Sequence, residues 1–345
     1  MPDLLITGAV ALAAAVLALA GLQKRGENEA VFSLPTAQTL RAACSVVVIL
    51  VHIPVAFGNK AQDAIGSFAF ICVTLFFLLS AYGLTTQYRQ KGEAYIKHFW
   101  RNRLASLLIP MVLINVAGIL LGNHPERSLL LRLVWPNDYA LTLLLYYVVF
   151  WIVHRVKRLS DDARDWILIG FTLVTSLAVQ GYVASSGTQA SLWPVERLGF
   201  AYGILAARFA GGTTERKLVQ NGKKWLLWAL CSFAVFCGLG FLYLRFKFSG
   251  IWLAYALKAV LGAAAILLIT ILLTRYRLGN KASIAAGETS YEIYLAHGAA
   301  ILFLERALPQ LSSGTFILCV LGLTAALAIA VKLLASPLVK LVRKK

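Results

Sequence analysis

Arg41 and His52 are the first two residues whose types and spacing suggest chemistry. They bound an otherwise apolar stretch, LRAACSVVVILVH, from Leu40 to His52. On a helix their separation amounts to about three turns plus 20°, so both side chains lie on one face, about 16 Å apart along the axis. That is half the thickness of a bilayer core of about 30 Å. A guanidinium binds anions at any physiological pH, and an imidazole can take and return a proton near neutrality. Ionisable groups inside a spanning segment are costly to desolvate, which makes them markers of function. The competing reading is an arginine that snorkels to the surface and a histidine that bonds a neighbouring helix. Spacing alone leaves both open.

The elements that would position these groups follow from composition. The chain has 345 residues, 59% of them hydrophobic, and a mean hydropathy of +0.75. Those values exclude an ordinary soluble domain and fit a polytopic membrane protein. The net charge of +18 would point to nucleic acid in a soluble chain. Here the cations fall between apolar segments, so membrane topology explains them and no nucleic-acid partner is expected. Eleven segments are apolar enough to span or nearly span: 3–22, 36–57, 66–86, 104–122, 139–154, 166–186, 193–209, 225–244, 251–274, 287–305 and 313–337. No polar interval is long enough to bury a soluble core. The expected fold is all-α, a polytopic helix bundle in the lipid bilayer. The first segment lacks a basic lead and a small-residue cleavage site, and reads as a retained span.

Loop charge orients the bundle. Alternate loops carry Lys24 and Arg25; Arg89, Lys91, Lys97, Arg101 and Arg103; Arg155, Lys157, Arg158 and Arg164; Arg208, Arg216, Lys217, Lys223 and Lys224; Arg275, Arg277 and Lys281; and the Lys340 to Lys345 tail. The other loops hold only Lys60, Arg127, Arg132, Arg245, Lys247 and Arg306. The positive-inside rule makes the first set cytoplasmic, with the N-terminus outside and the C-terminus inside. Arg41, Arg197, Lys258 and Lys332 remain inside spans; Lys332, near a span end, reads as a snorkelling residue. Matching depths suggest two partnerships, Glu196 with His52 and Glu292 with Arg41. The five cysteines all lie in apolar segments without a CxxC pair, and read as small core residues rather than disulfides or metal ligands. No metal site is expected.

Further motifs follow in order. FFLLSAYG runs from Phe76 to Gly83, a basic run holds Arg101 and Arg103, and SYEIYLAH runs from Ser290 to His297. With the Arg41 to His52 stretch, this order resembles the membrane acyltransferase-3 family over about residues 36 to 337. Ala81 stands where the family usually has glycine. The resemblance implies about ten core spans, so residues 1–35 read as an added N-terminal helix with its cytoplasmic loop, and 36–345 as the acyltransferase-like domain. It also implies an O-acyltransferase of the bacterial inner membrane. The donor would be cytoplasmic acyl-CoA, acetyl-CoA above all, and the acceptor a hydroxyl of a cell-surface or lipid-linked saccharide.

Acyl transfer from a thioester needs a base for the attacking hydroxyl, a stabilised oxyanion and a held donor. Of five histidines, His98, His124 and His154 lie in or beside loops, where solvated side chains are expected. His52 and His297 lie inside spans. The resemblance favours His52 as the base; His297 reads either as a second proton carrier or as a hydrogen-bonded core residue. KGEAYIKHFWRNR, Lys91 to Arg103, offers cations and aromatics for the CoA phosphates, and reads equally as an interfacial amphipathic helix. Arg41 would hold a phosphate or the pantetheine arm. Ser80 and Tyr294 are candidate hydrogen-bond donors, and Ser80 reads equally as bonded to its own backbone. No Walker motif, GxGxxG fingerprint, HExxH or GxSxG is present, which argues against an ATPase, dehydrogenase, zinc protease or serine hydrolase. The rival reading is a transporter, with Arg41, Glu196, Lys258 and His297 lining a solute path.

Overall fold

The structure is a computed structural model that describes residues 2–26, 29–122, 133–134, 137–187 and 192–344. His124, Arg127, Arg132 and Lys345 lie outside the described residues. In chain order the helices are α1 (Pro2–Leu19), α2 (Leu34–His52), α3 (Lys60–Phe68), α4 (Phe70–Lys91), α5 (Glu93–Lys97), α6 (Phe99–Leu120), α7 (Asp138–Arg155), α8 (Asp161–Ser186), α9 (Leu198–Phe209), α10 (Thr213–Gln220), α11 (Gly222–Phe246), α12 (Ile251–Arg275), α13 (Lys281–Glu288), α14 (Ser290–Ala307) and α15 (Ser313–Lys344). The protein is an all-α polytopic bundle, with a helix in every segment that the hydropathy pattern predicts.

Local chemistry sets the helix starts. Asn59 opens α3 and Asn280 opens α13 with reciprocal capping boxes, to Gln62 and Ser283 respectively. Ser160 caps α8 through Ala163 N–H, with Asp161 and Asp162 in the first turn, where the helix dipole favours acids. Among the described residues, seven helices are long and apolar enough to cross a membrane, fewer than the eleven expected segments. The shortfall has a chemical reason. Helix α1 is apolar but short from Asp3 to Leu19, α9 has only 12 residues, and α7 and α14 carry Asp138, His154, Glu292, His297, Glu305 and Arg306, which lower their hydropathy.

The loop alternation is visible in the packing. Arg25 N–H donates to Arg275 O at 2.9 Å and the Arg25 side chain pairs with Glu215, joining three charge-rich loops. A two-residue antiparallel ladder, β1 (Gln23–Lys24) with β2 (Tyr276–Arg277), sits there in the register Gln23↔Arg277. At the opposite end Asn59 Nδ2 donates to Thr7 Oγ1 at 2.8 Å and Ser313 Oγ at 3.1 Å. Gly314 N–H donates to Asp3 there at 2.7 Å, and Arg306 donates to Gly122 O at 2.7 Å. The two loop sets therefore occupy opposite ends of the bundle.

Helices α4 and α9 meet backbone to backbone. A Cβ on Gly199 would sit 2.0 Å from Thr74 O, and one on Gly203 would sit 2.3 Å from Leu78 O and 2.8 Å from Ala81 Cβ. Gly199 and Gly203 form a GxxxG pair, the pattern that lets two backbones meet inside a membrane. Gly203 also opposes Ala81, so the small side chain at 81 is accommodated. Phe77, Tyr146, Phe150 and Phe200 fill the core beside this seam, each nearly fully buried. The cysteines are free. Cys44 is buried as expected, but Cys231 and Cys237 are exposed on α11, because that helix packs chiefly along one side.

Candidate functional site

Helices α2, α4, α6, α7, α13, α14 and α15 surround a cavity of about 410 Å³. Helical spacing aims several side chains into it at once. On α7, Tyr139, Leu143 and Tyr147 recur every fourth residue and share a face. On α14, Tyr291 and Tyr294, three residues apart, also share a face, and α2 contributes Gln38 and Arg41. The backbones can close in because α13 lies directly on α2: a Cβ on Gly287 would sit 2.0 Å from Gln38 O.

Of the residues singled out in the sequence, Arg41, Ser80, Arg103, Glu292 and Tyr294 all line this cavity. The electrostatic neighbours of Arg41 are Tyr139, Tyr147 and Arg103. Arg103 donates to the Tyr95 hydroxyl and stacks its guanidinium over Tyr147, 5.5 Å from the ring centre. Tyr95 lies on α5, outside the spans. Burial raises its phenol above the ordinary value against the opposing pull of Arg103, so it stays a neutral hydroxyl. Ser80 lines the cavity beside Tyr139.

The depth-matched partnerships do not form. Glu292 pairs with Lys332 at 3.5 Å, and its second carboxylate oxygen is buried without a hydrogen-bond partner. Lys332 also donates to Glu288 O at 2.6 Å, so it is drawn into the cavity wall rather than snorkelling away. Glu196 has Lys258 and Arg197 as its electrostatic neighbours. Depth fixes the height of a residue, whereas the direction it faces depends on which helices touch. Since α14 packs on α15 and α9 also meets α12, those neighbours supply Lys332 and Lys258. Arg197 turns back onto the carbonyls of Trp193 and Leu192, at 3.0 and 2.5 Å, and Lys258 rests over the Phe70 ring. Arg101 lies outside the cavity, its guanidinium 3.1 Å from His98 Nδ1.

Beyond the cavity, His52 and His297 meet edge to face with ring centroids 4.9 Å apart. Nδ1 of His52 lies 2.7 Å from Val48 O, and Nδ1 of His297 lies 2.5 Å from Tyr294 O. A carbonyl only accepts, so each Nδ1 carries the proton and each Nε2 keeps its lone pair. Both imidazoles are thus preset as acceptors. His297 is buried and His52 is exposed at the end of α2. Tyr294 stands between the cavity and the pair, its ring 5.6 Å from that of His297. His154, expected in a solvated setting, is instead buried and stacked on Phe150 at 3.9 Å, because Tyr88 closes over the end of α7.

The sequence reading missed Tyr139, Tyr147, Tyr291 and Lys332 as cavity residues. The available signal was tyrosine recurring on one helix face of an apolar segment, eight apart on α7 and three apart on α14, where a hydroxyl needs a polar partner. Among the described residues no group of three or more metal-ligating side chains forms. The chain matches the family model described as an acyltransferase domain, of the acyltransferase-3 type, over residues 37–333. No curated protein and no solved structure matches it.

Proposed function

The chain belongs to the acyltransferase-3 family, an acyltransferase embedded in a membrane, and from that premise we propose that it carries an acyl group from acyl-CoA to a saccharide hydroxyl. The observation that carries this reading is the alignment of a cationic cavity, Tyr294 and the two imidazoles along one line of contacts. In this reading the charge-rich end is cytoplasmic, the N-terminus lies outside and the membrane is the bacterial inner membrane. Acetyl is the acyl group we favour, and a cell-surface or lipid-linked glycan the acceptor.

The cavity is on the scale of a small-molecule site. It would take the pantetheine arm, leaving the nucleotide at the basic mouth. Arg103 and Lys332 would offset phosphate charge, and Arg41 would meet the arm deeper in. The acceptor would arrive from the opposite end, where His52 is exposed. His52 Nε2 would take the hydroxyl proton as the oxygen attacks the thioester carbon. The C–S bond then breaks, and the imidazolium returns that proton to the leaving thiolate. Ser80 and Tyr139 would donate to the oxyanion that forms between those steps. His297, buried behind His52, would hold that ring and share its proton. An acceptor-side approach explains why the two histidines lie at the far end of the donor cavity.

The test is acyl transfer by purified protein in detergent, from labelled acetyl-CoA to saccharide acceptors. Labelled product that requires the protein supports the reading. Protein that binds acetyl-CoA but never transfers to any glycan hydroxyl would overturn the acceptor assignment.

A further inference from the structure

A second cavity, of about 580 Å³, lies between α9, α11 and α12 and shares no residue with the cavity around Arg41. Its walls are apolar: Leu205 and Phe209 from α9, Trp228 from α11, Ala263 and Leu267 from α12. Leu205, Trp228 and Leu267 are each about half exposed, so the groove opens sideways to whatever surrounds the bundle. On α12 the lining face runs from Ala263 to Ile271, about 12 Å along the axis. That is close to the hydrocarbon depth of one leaflet, about 15 Å.

The end of the groove is different. Lys217 and Lys224 line it at the charge-rich end of the bundle. They also line an adjoining pocket with Lys223, Gln220 and Asn221, where no acidic side chain appears. The nearest acid in sequence, Glu215, is engaged by Arg25 and by Gly211 N–H. Among the described residues no carboxylate pairs with any of the three lysines.

We infer that this groove is a binding site for an anionic phospholipid of the leaflet at the charge-rich end. Its phosphate would lie between Lys217 and Lys224, with an acyl chain along α12 against Trp228. Free phosphate would leave the apolar walls uncovered. A zwitterionic lipid would bring its own cation against three unpaired lysines. This inference is independent of the acyl-transfer reading and rests only on the bundle lying in a bilayer.

The test uses the full chain in nanodiscs of phosphatidylcholine, doped with lipids brominated on the acyl chains, which quench tryptophan. The Trp228 signal is the difference between the unmodified protein and Trp228→Phe. Each lysine near an anionic surface is worth about 1 kcal/mol, about fivefold. Brominated phosphatidylglycerol should therefore half-quench that signal at roughly a fifth or less of the mole fraction that brominated phosphatidylcholine needs. Lys217→Gln with Lys224→Gln should bring the two lipids to parity, and Lys217→Arg with Lys224→Arg should keep the preference. Inorganic phosphate should not relieve the quenching. Equal quenching by both lipids in the unmodified protein would overturn the site, whatever the variants do. So would a preference that survives the double glutamine change, or displacement of the lipid by inorganic phosphate.

Discussion

His52 at the end of α2 and His297 in the middle of α14 meet edge to face at 4.9 Å, each with Nδ1 against a backbone carbonyl of its own helix. Two distant segments thus deliver a pair of imidazoles with free Nε2 lone pairs to one spot. His52→Ala should lower turnover by about 10²–10⁴, the usual range for loss of a general base, with acyl-CoA binding retained. His297→Gln keeps a polar side chain but no titrating group, and should shift the pH profile of turnover as well as lowering it. Steady-state kinetics across pH on purified variants, with binding titrations alongside, check both. Near-normal turnover in His52→Ala would end the proposed mechanism.

Arg41 and Arg103 line the cavity, whereas Arg101 lies outside it beside His98. Replacing each by Ala should raise the acyl-CoA concentration needed for half-saturation in the order Arg103 and Arg41 well above Arg101. A charge-assisted contact is worth about 1.5–3 kcal/mol, so the first two should shift affinity by about tenfold or more. Calorimetric titration with CoA measures this directly; equal losses at all three positions would mean that the loop, not the cavity, holds the donor.

Orientation is checked by labelling. Single cysteines near Lys60 or Gly187 should react with an impermeant thiol reagent on intact cells, and cysteines near Lys91 or Lys217 should not. The exposed Cys231 and Cys237 must first be replaced by serine. The reverse pattern would put the acyl-CoA mouth on the wrong side of the membrane for its donor.

Gly199 lies where a Cβ would meet Thr74 O at 2.0 Å, whereas a Cβ on Gly170 meets nothing within 4 Å. Gly199→Ala should destabilise the protein by about 1–3 kcal/mol, the range for overpacking. Gly170→Ala should be neutral or stabilise by up to about 1 kcal/mol, because alanine is the better helix former. Thermal unfolding in one detergent, run side by side, distinguishes these opposite signs.

Much of this architecture was legible from apolar length alone, since every expected segment contains a helix. Loop charge also sorted the connections correctly into two sets that meet at opposite ends, as the contacts of Arg25 and Asn59 illustrate. The lateral arrangement was not legible. Glu292 and Arg41 have compatible depths, yet Lys332 takes the carboxylate, because glycine contacts and helix neighbours decide direction. The polar helices α7 and α14 gave the weakest span signals for the same reason that they matter: groups that serve a site lower hydropathy. Tyr139, Tyr147 and Tyr291 were hidden because an isolated tyrosine in a span resembles an ordinary interfacial anchor, whereas Tyr294 stood within a motif.

The seam between α4 and α9 bears on how the protein moves. Backbone touches backbone at Gly199 and Gly203, so this wall has no compliant side chains to take up a displacement and behaves as a keel. Another part of the rim is closed by Lys332 on Glu288 and Glu292, a clasp made of one flexible amine and two acceptors. Any widening of the cavity is therefore expected at the Lys332 clasp between α15 and the α13–α14 wall, rather than at the glycine seam. Ser80 projects into the cavity from α4, the helix held by that seam, so its hydroxyl is a fixed landmark in the lining.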